Sequence, residues 1–127
     1  MRYFFLFFFA ANIFATNWKE AAFSDTGTVY VDIDSIKKSK EMVYYWQLSD
    51  CYEKKIIEGI AFMSHVSYYM TDCDMGKTKT LSLTFYKDKM AGGGAVYTMT
   101  IESPSWSYDV PGSTGAASSE YACNFIK

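Results

Sequence analysis

The sequence predicts an α+β domain: an antiparallel sheet of about six strands packed against a C-terminal helix. Three observations predict it. Apolar and polar residues alternate with period two in successive segments. The connections between these segments are short and rich in turn residues, which favours antiparallel pairing because parallel strands need long crossovers. From Thr114 onward the apolar spacing becomes helical.

A short first strand is expected from Trp18 to Phe23, and Asp25-Thr26-Gly27 turns the chain into the second. Thr28 to Asp34 alternates cleanly, with Val29, Val31 and Ile33 on one face and Tyr30, Asp32 and Asp34 on the other. Ser35 to Lys40 reads as a helical turn or polar loop. Met42 to Leu48 and Ile60 to Met70 are rich in aromatic and β-branched residues, as strands are. Cys51 to Lys55 is expected in the loop between them. Thr80 to Tyr86 should turn Leu81, Leu83 and Phe85 inward and Thr80, Ser82 and Thr84 outward. Gly92-Gly93-Gly94 makes a hairpin loop before a strand in which Tyr97, Met99 and Ile101 alternate with polar residues. Ser105 to Ser113 reads as irregular. Ser113 or Thr114 can cap the helix, whose apolar face would carry Ala117, Tyr121, Ala122 and Phe125.

Residues 1–15 differ from the rest. A single charge, Arg2, precedes a short phenylalanine-rich apolar run that closes on small residues, the pattern of a secretory signal peptide cleaved after Ala15. Residues 16–127 then form one domain. The expected address is outside the cytoplasm, by export. Export places Cys51, Cys73 and Cys123 in an oxidising compartment, where one disulfide forms and one thiol is left over; spacing alone permits three pairings.

Charge and motifs exclude several function classes. With 12 basic and 14 acidic residues the chain lacks the basic excess of a nucleic-acid binder. Gly76-Lys77-Thr78 has no glycine five residues upstream and no helix after it, so it is not a phosphate-binding loop. His65 is the sole histidine, and neighbouring Ser64 points to the other strand face, so no catalytic set assembles. Asp32 with Asp34, and Asp72 with Asp74, lack the loop that an oxygen cage for a cation needs. The expectation is a non-enzymatic binding protein with no cofactor and no metal. Its candidate surface is the pairs Tyr44-Tyr45 and Tyr68-Tyr69, since one member of each must face outward and tyrosine makes a good anchor. Lys37 and Lys38 offer a basic contact for anionic glycans or acidic proteins. Lys127 offers an ammonium beside a carboxylate. Trp46 and Trp106 are expected to pack beneath loops. Open sheet edges permit self-pairing into a homodimer.

The order of landmarks resembles the surface-adhesin protein E family of bacterial envelope proteins. Its carriers are Trp18, the run Val29 to Ile36, Tyr45-Trp46-Gln47-Leu48-Ser49-Asp50, Asp72-Cys73, Trp106-Ser107-Tyr108, Pro111-Gly112-Ser113, Gly115 and Cys123. The resemblance implies an antiparallel sheet with a C-terminal helix and a disulfide between Cys73 and Cys123. It also implies export to the cell envelope, at the cell surface, outer membrane or periplasm, and an adhesin that binds host matrix or serum proteins of the laminin, vitronectin and plasminogen class. The rival reading is a periplasmic accessory protein that binds an envelope component.

Overall fold

The structure, a computed structural model, describes residues 16–126. The expected signal peptide over residues 1–15 and the candidate Lys127 lie outside the described residues. Strands β1 (Trp18–Phe23), β2 (Gly27–Asp32), β3 (Lys37–Ser39), β4 (Met42–Ile57), β5 (Ile60–Asp72), β6 (Lys77–Tyr86), β7 (Ala95–Thr100) and β8 (Ser107–Tyr108) precede helix α1 (Thr114–Phe125). All strand pairs are antiparallel, in the order β1-β2-β4-β5-β6-β7, with β3 added to β4 and β8 added to β6. The α+β architecture is as the patterning predicts.

Three expectations are corrected. The sheet has eight strands rather than about six. One of the additions is Lys37–Ser39, expected as a helical turn or loop, which pairs with Met42–Tyr44 instead. Its turn residues Lys40 and Glu41 both take positive φ, 50° and 70°. That is the geometry a two-residue hairpin needs, reached here without the glycine or asparagine that would announce it. The β4–β5 hairpin uses the same device at Glu58 and Gly59, with φ of 47° and 83°. Moving the reversal to that point makes Cys51 to Lys55 part of β4 rather than a loop.

The main core lies between one sheet face and α1, while Leu48 and Val66 are buried on the opposite face. Val31, Ile36, Val43, Tyr45 and Ala122 form the main core, with Ile33, Tyr69, Tyr121 and Ile126 packed against them. Fully burying a side chain such as Val31 or Val43 contributes about 1.5–3 kcal/mol. Ser113 caps the helix, accepting from the Ala116 amide at 3.1 Å. The buried helix face is Ser118, Ser119 and Ala122, small residues that let the helix approach the strands closely. The expected stripe is thus corrected at Phe125, which is 51% exposed.

The disulfide joins Cys73, just past β5, to Cys123 on α1, with Cα atoms 6.0 Å apart. It closes the helix onto the end of the β5–β6 hairpin. Cys51 is a free, buried thiol.

Candidate binding face

The helix covers one face of the sheet, so the outcome for each paired tyrosine follows from strand parity. Tyr45 and Tyr69 face each other across β4 and β5 on the helix side, with ring centroids 5.7 Å apart. Tyr45 is 1% exposed, so its candidacy as a surface residue is corrected. Its hydroxyl sits in a chain of polar side chains. Ser119 lies 3.1 Å away, Thr71 donates to it at 3.3 Å, and Thr71 continues to Thr78 at 2.9 Å. Thr78 donates to Asp109 at 2.9 Å. Burial pushes the Tyr45 hydroxyl up to about 12, although the bonds to Ser119 and Thr71 oppose that rise.

Tyr44 and Tyr68 point the other way, to the open face. Trp46 joins them there, because it pairs with Tyr68 and sits two residues from Tyr44. The Trp46 and Tyr68 rings lie 4.5 Å apart and those of Tyr44 and Tyr68 6.1 Å apart. Trp46 is 36% exposed, so it does not pack beneath a loop as expected. Burial, then the neighbouring Tyr44 hydroxyl, raise the Tyr68 pKa. Lys37 pairs with Tyr44 and holds its ammonium 5.8 Å from the ring centroid.

A β-bulge enlarges this face. Tyr68 pairs with Ser82 but Tyr69 pairs with Thr80, so Leu81 is the extra residue on β6. Strict alternation from Leu83 would turn Lys77 and Lys79 inward. The bulge reverses the parity: Thr78 and Thr80 meet Thr71 and Tyr69 on the helix side, while Lys77 and Lys79 come to the open face. Strand β8 then sets Tyr108 beside Lys77, and Trp106 lies under both lysines. Their ammoniums are 4.9 Å and 4.7 Å from the Trp106 ring centroid. Trp106 is therefore half-buried between lysine stems rather than under a loop, and Tyr108 is 68% exposed. Sequence reasoning missed Lys77, Lys79 and Tyr108 as members of the surface. The bulge carries no glycine or other local signal, and Trp106 lies 27 residues beyond Lys79 in the chain.

The other candidates fall elsewhere. Lys38 alternates away from Lys37 and pairs with Glu41 at 4.0 Å. Asp32 accepts from the amides of Asn17 and Asp34, and Asp72 from those of Asp74 and Met75, so these carboxylates shape turns. Among the described residues no cluster of His, Cys, Asp and Glu is placed to hold a metal ion. His65 packs against Phe62 and Phe85, with centroids 6.0 Å and 5.5 Å away, and its Nδ1 has no hydrogen-bond partner. Burial lowers its pKa and raises that of Cys51. Ser64 is engaged elsewhere, donating to the Asp88 carbonyl at 2.6 Å and accepting from the Ala91 amide at 2.9 Å.

The sequence profile described as Surface-adhesin protein E matches residues 18–124, nearly all of the described chain. The chain belongs to the surface-adhesin protein E family. Among solved structures it is similar to the selenomethionine form of Haemophilus influenzae protein E, with a TM-score of 0.61 at 12% identity, covering 87% of this chain and 88% of that one. A second structure of Haemophilus influenzae protein E matches with a TM-score of 0.59 at 13% identity, covering 83% of each chain. Protein E from non-typeable Haemophilus influenzae gives 0.59 at 13%, covering 88% of this chain and 82% of that one. At such identities the likeness is one of fold. A search among curated proteins finds no match. Within the adhesin E fold of this chain, no described helix is long and apolar enough to cross a membrane.

Proposed function

We propose that the protein is an exported adhesin that binds host extracellular proteins of the matrix and serum class through the open sheet face. Membership of the surface-adhesin protein E family supports the role. The observation that carries the location is the Tyr44–Trp46–Tyr68 cluster, which leaves three adjoining aromatic side chains, their rings tilted by 30° and 34°, on the face opposite the helix. Aromatic residues clustered on a rigid surface are the side chains that dominate binding energy at protein interfaces. Nothing in this reading requires turnover, a cofactor or a metal.

The test is binding of purified protein to immobilised laminin, vitronectin and plasminogen, with Trp46→Ala and Tyr68→Ala beside the wild type. Loss of an aromatic anchor costs about 2 kcal/mol or more, so affinity should fall at least about tenfold. Unchanged affinity in both variants would move the site off this face. Protease shaving of intact cells provides the second arm. Peptides released only after lysis would replace the adhesin role with that of a periplasmic accessory protein.

A further inference from the structure

We propose that the open face takes a sulfated polysaccharide, a linear anionic glycan laid across the strands from Lys37 to Lys79; this rests on the open face being the binding surface. Register sets the layout. Lys37, Tyr44, Met70 and Lys79 occupy one cross-strand row over β3, β4, β5 and β6. Three strand spacings of about 4.8 Å separate its two lysines by about 14 Å. Trp46 and Tyr68 form the adjacent row, and Lys77 with Trp106 flanks the Lys79 end.

Charge favours a polyanion. Lys77 and Lys79 bring two ammoniums over one indole, and two residues of strand separate their backbones by about 7 Å. Among the described residues the ion pairs are Lys38 with Glu41 and Lys89 with Asp50, so Lys37, Lys77 and Lys79 take part in none. Asp72, paired with Lys77 across the strands, turns its Oδ1 to the amides of Asp74 and Met75. The chain as a whole is acidic, with a net charge of −2, so this grouping of Lys37, Lys77 and Lys79 is a local arrangement and not a consequence of composition, and the carboxylates of Glu20 and Asp50 lie on the same face beyond Trp46. Two like charges held so close call for closely spaced anionic groups, as on a sulfated chain, rather than an isolated carboxylate. Between the charges the surface offers flat aromatic rings and a methionine, which suit the apolar faces of sugar rings.

The test is direct titration of the purified protein with fluorescein-labelled heparin at low and high salt. Hyaluronate, neutral dextran and poly-glutamate are the comparison ligands. Heparin should bind, weaken as salt rises, and lose at least tenfold in the double variant Lys77→Gln/Lys79→Gln. Lys54→Gln/Lys55→Gln removes the same charge at the far end of β4 and should leave binding unchanged, and Lys79→Arg should retain it. No heparin binding at low salt would overturn the proposal, as would equal losses in the two double variants. Tighter binding of poly-glutamate than of heparin would replace the glycan with an acidic protein segment, and tighter hyaluronate would remove the need for sulfate. Heparinase treatment of host cells separates this inference from the adhesin reading: cell attachment that survives the treatment removes the glycan and leaves the adhesin. Absence of attachment to untreated cells removes the adhesin.

Discussion

The Tyr45 hydroxyl and the Ser119 Oγ lie 3.1 Å apart, joining the central strand β4 to the helix across a separation of 74 residues. A phenol in the middle of a core must satisfy its oxygen, and here it does so against the one helix face small enough to reach it. Thr71 and Thr78 extend the contact to Asp109, so the loop before the helix is held by the same chain of hydroxyls.

Tyr45→Phe should therefore fold but lose about 1 kcal/mol, the usual net worth of one hydrogen bond. The cost stays modest because Ser119 and Thr71 keep Thr78 as a partner. Urea denaturation at neutral pH measures the loss. The folded protein holds the Tyr45 proton up to about 12, whereas the unfolded chain releases it near 10. Between those values the unfolded state binds fewer protons, so wild-type stability falls as pH rises. The wild type's advantage over Tyr45→Phe should shrink above pH 10. An unchanged difference across that range would place the hydroxyl in contact with water.

The Cys73–Cys123 bond closes a loop of 50 residues and ties α1 to the β5–β6 hairpin. Chain entropy assigns a loop of that length about 4 kcal/mol. Cys73→Ser/Cys123→Ser should lose stability of that order in urea denaturation. Alkylation of the unreduced, unfolded protein should label Cys51 alone, and alkylation after reduction all three cysteines. Label on Cys73 or Cys123 without reduction would contradict the pairing.

His65 gives the fold an acid-sensitive limb. Its ordinary pKa is 6.5 and burial lowers it in the folded protein. As pH falls through 6.5 the unfolded chain takes up a proton that the folded chain resists. The unfolded state then binds more protons, and stability drops with falling pH. Replacing His65 with Phe, which suits the Phe62 and Phe85 neighbours, should flatten that limb between neutral pH and pH 5. Thermal melts across that range test it, and parallel curves for the two proteins would assign the acid sensitivity to the carboxylates.

By itself the sequence determined the fold class, since alternation with short turns leaves little besides an antiparallel sheet, and the capped C-terminal stretch can only be the covering helix. It also determined that each tyrosine pair would split between faces, because neighbouring strand residues cannot share one. Which member faces out depends on where the helix packs, and that depends on Ser118 and Ser119 beside Ala122, of which only Ala122 belongs to the apolar face that the spacing predicts. The tertiary structure alone decided the open face. Lys40 and Glu41 adopt positive φ without a glycine, adding the strand that brings Lys37 to Tyr44. A single extra residue, Leu81, turns Lys77 and Lys79 over to Trp106. The reason is physical. A bulge shifts parity by one, the difference between the two faces of a sheet, and its position is set by cross-strand pairing rather than by the residue that forms it.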